Sequence, residues 1–190
     1  MSVPVDMAGL LHRLRGGDGV AFDEIYALYG DRLFGFLTRL CGRRDLAQDL
    51  HQETWIKLAR AASSLAPETS LAPWLYTVAR NTWKDHARGR AREAARLDYL
   101  ATEPAPAATD ADRAIDDGRR VRALEAALQA ISEPSREILL LCAVEGLQPV
   151  EAATVLGLKP EAARQRLSRA RAELSDELDR RTQTQARGAS

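Results

Sequence analysis

The sequence lacks the residue patterns that define metal sites, disulfide scaffolds and membrane spans. Among its 190 residues are two cysteines, Cys41 and Cys142, which form no C-x-x-C pair, and we expect both to be buried free thiols. The longest apolar runs, such as residues 138–144, are far short of the ~20 residues that span a bilayer. The N-terminus has no basic region followed by an apolar signal core. We therefore expect a cytoplasmic protein with no membrane insertion and no metal site.

Patterns that support catalysis are lacking as well. His12, His51 and His86 are scattered, with no paired carboxylate or nucleophile at useful spacing, and no glycine-rich loop suits a phosphate. An enzyme is therefore the least supported class of protein. The sequence predicts no catalytic residue and no cofactor.

The chain also has no net charge, because 27 basic and 27 acidic side chains cancel. A uniformly basic nucleic-acid binder would carry a large positive excess. The charges are nevertheless segregated: residues 80–96 carry six basic and two acidic side chains, and residues 97–117 carry one basic and six acidic ones. A local basic surface is therefore compatible with the neutral total.

Apolar side chains recur at helical spacing through most of the chain, which predicts an all-α protein. We expect two small helical domains, at residues 1–95 and 119–181. Residues 96–118 contain prolines, many alanines and the acidic excess, and they predict a flexible acidic linker. Residues 182–190 are polar and without pattern, and we expect a mobile tail.

Residues 146–174 have the stop and start signals of a helix-turn-helix. Gly146 and Gly157 each follow an apolar-periodic run, and Pro149 and Pro160 occupy positions where a first helical turn tolerates a missing N–H. On a helical wheel, the second helix has a small apolar face formed by Ala163, Leu167, Ala170 and Leu174. The opposite face carries Glu161, Gln165, Ser168 and Ala172, with arginines on both flanks. One face is predicted to pack, and the rest to meet DNA.

A predicted helix over residues 45–62 has an unusual exposed flank. Asp45, Asp49, Gln52, Glu53 and Ile56 line up along one side of it. Two interpretations are open. Carboxylates near a helix N-terminus are favourable in themselves, so the flank is consistent with a solvated face. The alternative is a protein-docking surface.

The helix predicted from Leu71 onward has a basic face opposite its apolar stripe. Arg80, Lys84 and Arg88 follow one another at spacings of four, beside Thr77 and Asn81. Neutralisation of phosphates by such a row predicts salt-dependent binding of nucleic acid. Trp74, Tyr76 and Trp83 border the row, as base-stacking aromatics do in single-strand binders, although Trp74 also suits the core.

Four segments, in order, resemble the extracytoplasmic-function sigma factors of bacterial RNA polymerase, in the sigma-70 family. Residues 21–40, AFDEIYALYGDRLFGFLTRL, resemble the opening helices of region 2, and residues 45–58, DLAQDLHQETWIKL, resemble its clamp-binding helix. Residues 73–90, PWLYTVARNTWKDHARGR, are similar to the helix that meets the −10 promoter element. Residues 133–174 resemble region 4, whose second helix enters the major groove at the −35 element.

The resemblance implies a role for each surface. The resemblance implies that the clamp helices of the largest polymerase subunit would be bound by Asp45, Asp49, Gln52 and Glu53. The non-template strand at the −10 element would be engaged by Ser63, Ser64 and Ser70 from a loop, and by Arg80, Asn81, Lys84 and Arg88. The −35 element would be met by Glu161, Arg164, Gln165, Arg166, Ser168, Arg169 and Arg171. The implied partners are core RNA polymerase, through its clamp helices and flap, promoter DNA and an anti-sigma factor.

The main alternative is a stand-alone helix-turn-helix repressor or activator, which would use the same motif on duplex DNA. Such a protein has no use for the acidic flank of residues 45–56 together with the basic row of residues 80–88. The sequence therefore favours a subunit that directs polymerase to promoters and helps to open the −10 element.

Overall fold

The computed structural model of the chain describes residues 6–97 and 117–188, with side-chain surroundings for residues 6–93 and 121–183. Over these residues the chain folds as helices joined by turns, with no strand, which confirms the all-α prediction. The helices are α1 (Met7–Arg15), α2 (Gly19–Cys41), α3 (Arg44–Ala61), α4 (Leu71–Leu97), α5 (Asp117–Ala130), α6 (Glu133–Leu139), α7 (Pro149–Leu156) and α8 (Pro160–Gly188).

The chain divides into two compact units. Of the described residues, 6–37 and 44–97 form the first unit, and 38–43 and 117–188 form the second. The predicted linker is helical at both of its ends, because α4 continues to Leu97 and α5 begins at Asp117. Its remaining residues, 98–116, lie outside the described residues.

Helix α1 begins and ends where its local signals predict. The Asp6 side chain accepts a hydrogen bond of 3.0 Å from the Gly9 amide and caps the N-terminus. At the other end, Gly17 adopts a positive φ of 83°, which glycine tolerates best. Arg13 then pairs with Asp18 at 2.7 Å and with Glu24 at 2.9 Å, and so ties α1 to the start of α2.

The core of the first unit forms between the inner faces of α2, α3 and α4. Phe36 of α2 and Tyr76 of α4 meet edge to face, with ring centroids 5.1 Å apart, and both are fully buried. The buried hydroxyls of Thr54 and Thr82 donate to the carbonyls one turn earlier in their own helices, at 2.7 and 2.8 Å. These two hydroxyls therefore enter the core with their hydrogen bonds satisfied.

Two of the three aromatic residues beside the basic row belong to this core. Tyr76 is 0% exposed and Trp83 is 8% exposed, so the prediction that they offer faces to stacked bases is wrong. The physical reason is their spacing: positions 76, 79 and 83 share the inward arc of α4, where the apolar stripe continues. Trp74 is half-buried.

The second unit is a bundle of α5 to α8, as predicted, although its first helix contributes less than expected. The helical spacing of Val121, Leu124, Leu128 and Ile131 predicts an inward stripe on this helix. Leu128 and Ile131 are buried, but Val121 and Leu124 are exposed. Beyond Leu139 the chain widens into a π-helical segment, Leu140–Val144, that leads to Gly146 with a φ of 74°. The sequence carries no local signal for that widening.

The cysteines are less deeply buried than predicted. Cys41 and Cys142 are free thiols, but each is half-buried. Burial raises the pKa of the Cys142 thiol, which keeps it protonated.

Helix α8 is longer than the sequence indicates. The sequence predicts a polar tail without pattern from residue 182, whereas in the structure the helix continues to Gly188. No proline or glycine interrupts the chain between Pro160 and Gly188, and most of the intervening residues have good helix propensity. Glu177 also pairs with Arg181 one turn later at 2.7 Å. Residues 189–190 lie outside the described part of the chain.

A carboxylate from α8 caps α6 and fixes the direction of α8. Glu173 accepts hydrogen bonds from the Ser132 amide at 2.7 Å and from the Ser132 hydroxyl at 3.1 Å. Hydrogen bonds to the Glu173 carboxylate lower its pKa, and the largest effect comes from the Ser135 hydroxyl, with a smaller one from the Ser132 backbone N–H. A residue distant in sequence thus supplies the cap that Ser132 does not provide with its own side chain.

We expect Glu173→Ala to destabilise the second unit by about 1 kcal/mol at neutral pH, the typical cost of a lost cap. The folded pKa of Glu173 lies below its unfolded value, so this stabilisation is present above the ordinary glutamate pKa. It is lost as the pH falls through the depressed folded pKa. Hydrogen exchange of α6 amides measures the effect, with Asp176→Ala on the exposed surface of α8 as the control. If Glu173→Ala lost as much stability in acid as at neutral pH, Glu173 would not stabilise the unit as a charged cap.

Candidate docking and nucleic-acid surfaces

The predicted acidic flank of α3 is a continuous exposed surface, here named the acidic stripe. Its members, Asp45, Asp49, Gln52 and Glu53, are all exposed. They share this side of α3 because the opposite side is committed to the core through Ala47, Leu50, Thr54 and Leu58. The helix therefore exposes carboxylates and an amide together along one edge of the first unit.

One member of the stripe is connected to α4 through a lysine. Lys57 lies one turn after Glu53 and pairs with it at 2.8 Å. The same ammonium donates a 2.9 Å hydrogen bond to the Thr82 hydroxyl. Lys57 therefore spans from the acidic stripe to the helix that carries the basic row.

An open groove of about 400 Å³ lies beside the acidic stripe. Two of its apolar side chains remain substantially exposed, Tyr26 at 47% and Ile56 at 41%. An exposed apolar patch bordered by polar groups is typical of a protein-docking surface. The groove is lined by Phe22, Tyr26, Gln48, His51, Gln52, Trp55, Ile56 and Ala59.

Packed aromatic rings form one wall of the groove and hold it in shape. The Trp55 ring lies 4.8 Å from that of Tyr26 and 5.8 Å from that of Phe22, between centroids. The Trp55 indole N–H donates to His51 Nε2 at 2.8 Å, and the Gly30 carbonyl oxygen lies 3.0 Å from the same nitrogen. Burial lowers the pKa of His51, which favours the neutral imidazole that accepts from the indole. The helical spacing of Tyr26 with Phe22 and Ile25 predicts a core position for it, but its side chain instead borders solvent.

The loop between α3 and α4 has one buried residue, and most of its other residues are exposed. Ala62–Ser64 form a single 3-10 turn, and Leu65 beyond it is 6% exposed. Ser63, Ser64 and Ser70, the predicted strand-contacting serines, are all exposed. The Ser64 hydroxyl donates to the Ala61 carbonyl at 2.8 Å. The loop thus presents hydroxyl groups on both sides of a buried leucine.

The basic row follows this loop along the outer side of α4. Asn81 and Arg88 are exposed, and Arg80 and Lys84 are half-buried. Arg88 lies 3.3 Å from Asp85, and both side chains are more than 65% exposed, so solvent screens this ion pair strongly. The loop serines and the cationic row thus lie on consecutive segments of the first unit.

In the second unit, α7 and α8 form a helix-turn-helix with the predicted stops. The backbone N–H of Gln148 donates to the Glu151 carboxylate at 2.7 Å at the start of α7. Gly157 ends α7 with a φ of 67°, and the Leu158 amide donates to the Ala153 carbonyl at 2.8 Å. This hydrogen bond closes the helix end and turns the chain into α8.

Helix α8 packs by the predicted small face and exposes the predicted reading face. Ala163, Leu167 and Ala170 are buried at 0%, 6% and 0% exposure. Of the seven candidate contacts, Arg166 is half-buried, and Glu161, Arg164, Gln165, Ser168, Arg169 and Arg171 are exposed. Glu161 and Arg164 pair across one turn at 2.9 Å, and both are at least 60% exposed. Arginine and amide groups on such a face have the geometry to contact base edges and phosphates.

Three features of these surfaces were not predicted from the sequence. Lys57 has a local signal, because a lysine four residues after a glutamate is a standard helical pair. The groove requires α2 and α3 to meet, and its signal is the five Phe and Tyr residues of α2 together with Trp55 of α3. The third is Arg15 of α1, which donates to the Leu65 carbonyl at 2.7 Å across fifty positions of sequence. No local pattern indicates that contact.

Neither a metal site nor a membrane span is found in residues 6–97 and 117–188. No cluster of three or more His, Cys, Asp or Glu side chains there has the geometry to hold a metal ion. No helix in that part of the chain is both long enough and apolar enough to cross a bilayer.

Two family models match the chain. Residues 25–93 match the Sigma-70 region 2 model, and residues 121–174 match the Sigma-70 region 4 model. The first match contains the acidic stripe, the loop and the basic row. The second contains the helix-turn-helix. Their order along the chain is the order predicted from the four segments.

The chain is similar to curated sigma factors over most of its length. It is 35% identical to the RNA polymerase sigma factor CarQ of Myxococcus xanthus, over 84% of this chain and 90% of CarQ. It is 32% identical to the ECF RNA polymerase sigma factor SigE of Mycolicibacterium smegmatis, over 89% of this chain and 66% of SigE. Among solved structures, it is similar to the sigma factor RpoE of Bartonella quintana, crystallised with the anti-sigma factor NepR. That match has a TM-score of 0.70 and 27% identity, over 83% of this chain and 96% of RpoE.

Proposed function

The chain belongs to the sigma-70 family and is an RNA polymerase sigma factor of the extracytoplasmic-function type, and from this premise we propose a separate task for each surface. The first unit binds core polymerase and opens the −10 element. The helix-turn-helix of the second unit binds the −35 element. We assign these tasks to residues 1–95 and 119–181, with residues 96–118 as the connection between them.

The acidic stripe and the adjoining groove bind the clamp helices of the largest polymerase subunit. Carboxylates at Asp45, Asp49 and Glu53 suit a basic partner helix, and complementary charge accelerates encounter and selects the partner. Tyr26 and Ile56 supply the apolar area that a stable interface needs beside its charged rim. The charged stripe and the apolar groove lie side by side on the first unit. Together they support a docking surface rather than a solvated helix face.

The loop and the basic row engage the non-template strand as the −10 element opens. A base taken out of the stack loses only a few kcal/mol, which contacts in a pocket recover. Ser63, Ser64 and Ser70 offer hydroxyls to such a base, whereas Arg80, Lys84 and Arg88 neutralise phosphates and Asn81 adds an amide. Since Tyr76 and Trp83 are buried, stacking on those two rings has no part in this capture.

Helix α8 enters the major groove at the −35 element. Arg164, Gln165 and Ser168 read base edges, with Glu161 positioned beside Arg164, and Arg166, Arg169 and Arg171 contact phosphates. The buried face of Ala163, Leu167 and Ala170 holds the helix against the rest of the unit. Besides the −35 element, this unit binds a flap segment of core polymerase.

The protein acts by binding, without catalysis and without a cofactor, in the cytoplasm where polymerase and promoters are found. An anti-sigma factor holds it inactive until a signal arrives. The similarity to RpoE, a sigma factor that was crystallised with the anti-sigma factor NepR, supports this part of the proposal. A stand-alone repressor is not favoured, because the region 2 match covers the surfaces that such a protein does not need.

The observation that supports the proposal most directly is the combination, within one region 2 match, of an exposed acidic stripe and a basic row on the outer side of α4. The test is run-off transcription with purified protein and core polymerase, followed by genome-wide mapping of start sites. We expect initiation at a defined set of promoters that share −35 and −10 sequences. Duplex binding without any polymerase-dependent initiation would favour the repressor instead.

A further inference from the structure

Helix α1 carries none of the proposed polymerase or DNA contacts, yet it contacts the loop between α3 and α4. Its buried residues, Leu10, Leu11 and Leu14, pack it into the first unit, and its C-terminal end lies against the 3-10 turn Ala62–Ser64. The half-buried Arg15 donates from Nε to the Leu65 carbonyl oxygen at 2.7 Å. A guanidinium on a backbone carbonyl is a charge-assisted hydrogen bond, which is stronger than a neutral one.

Leu65 is the anchor of the loop. Within residues 63–70 it alone is buried, at 6% exposure, while Ser63 and Ser64 before it and residues 66–68 after it are exposed. Its amide donates to the Ala61 carbonyl at 3.1 Å, at the end of α3. Its carbonyl accepts from Arg15. The backbone of the anchor is thus held from one side by α3 and from the other by α1.

We propose that Arg15 is a positioning residue for strand capture, because it fixes the backbone that presents the loop hydroxyls to a flipped base. Without Arg15, the Leu65 carbonyl must bond water, and the exposed residues on either side gain conformational freedom. Ordering them again on binding costs affinity, so a preformed loop binds more tightly than a mobile one. The inference rests on the proposed role of the loop at the −10 element.

A matched control exists on the same helix. Arg13 carries the same charge, is exposed, and pairs with Asp18 and Glu24, away from the loop. Arg13→Met and Arg15→Met remove the same charge and donor group from α1, but only the second removes the bond to Leu65. Arg15→Lys keeps the charge and a donor, and is the conservative variant that tests rescue.

The experiment uses the full chain bound to core polymerase and two readouts. The first is affinity for a single strand carrying the non-template −10 segment of a mapped promoter, against a scrambled strand. The second is hydrogen exchange of residues 62–70. We expect Arg15→Met to weaken strand binding about tenfold and to speed loop exchange about tenfold, the effect of one lost charge-assisted hydrogen bond. Arg13→Met should change neither readout, Arg15→Lys should recover part of both, and polymerase affinity should stay constant.

Equal losses in Arg13→Met and Arg15→Met would overturn the inference, since the cause would then be charge or the stability of α1. Unchanged strand binding in Arg15→Met, with wild-type protein still selecting the −10 strand, would overturn it while leaving the proposed function intact. If wild-type protein does not distinguish the −10 strand from the scrambled one, the proposed function fails and the inference fails with it. Hydrogen exchange of residues 62–70 would then still show whether Arg15 holds the Leu65 backbone in place.

Discussion

The double charge reversal Asp49→Lys with Glu53→Lys is expected to abolish binding to core polymerase while leaving the helical fold intact. Both side chains are exposed, so the folded protein loses little when they change. At an interface with a basic partner helix, by contrast, each reversal replaces attraction by repulsion, which costs several kcal/mol. The affinity is expected to fall by about 100-fold or more. Co-purification with core polymerase, with helicity and thermal unfolding measured in parallel, tests both halves of the statement.

Glu53 already forms an ion pair with Lys57 in the free protein, and the experiment must allow for the loss of this pair. Its bond to Lys57 is an exposed i,i+4 pair, worth about 0.3 to 0.5 kcal/mol, so a basic group on polymerase competes with it easily. Lys57 keeps its second bond, to Thr82, when Glu53 turns to the partner. Asp176→Lys with Asp179→Lys on the exposed surface of α8 changes the total charge equally and serves as the control. Normal co-purification of the Asp49 and Glu53 variant would contradict the docking assignment.

Features encoded within one helix were predictable from the sequence. The buried face of α8 follows from the spacing of Ala163, Leu167 and Ala170, and the end of α7 follows from Gly157, whose φ of 67° suits glycine. The acidic stripe and the basic row were predictable for the same reason, since each occupies one side of a single helix. Spacing along a helix determines direction without knowledge of the neighbours.

Features that require two segments to meet were not predictable in the same way. The groove beside the acidic stripe needs Tyr26 from α2 opposite Ile56 from α3, and the sequence does not specify how these helices approach each other. Glu173 caps Ser132 across 41 positions and Arg15 reaches Leu65 across 50, distances at which periodicity carries no information. Long polar side chains usually lie on the surface, so the roles of Glu173 and Arg15 become visible only with their hydrogen-bond partners.

The error at Tyr76 has a different cause. A tyrosine beside cations suits a base-stacking surface as well as it suits a core, and adjacency in sequence did not decide between them. The edge-to-face contact with Phe36 decides it, because that partner comes from α2. In the proposed function, strand capture therefore rests on the loop, the cations and Asn81, and the order of the loop, and hence Arg15, matters more than the sequence suggested.

The substitution Arg164→Ala is expected to weaken binding to a duplex −35 element by about 1 to 3 kcal/mol, the discrimination provided by one good bidentate base contact. Its guanidinium is 60% exposed and is oriented by Glu161 at 2.9 Å, so the free protein loses little stability. On a template whose −10 segment is already opened, the first unit retains its own contacts, and initiation should persist. Binding to duplex and to opened templates, each with the mapped and an altered −35 sequence, measures this separation.

Arg169→Ala provides the contrast, because it is proposed to remove a phosphate contact from the same helix. Loss of a phosphate contact weakens binding to all sequences alike and lowers the slope of log affinity against log salt by about 0.9. Loss of a base contact instead removes the preference between the mapped and the altered sequence and leaves most of the slope. Equal losses by Arg164→Ala on duplex and opened templates would contradict a division of the two promoter elements between the two units. An unchanged sequence preference in that variant would exclude Arg164 as a base-reading residue.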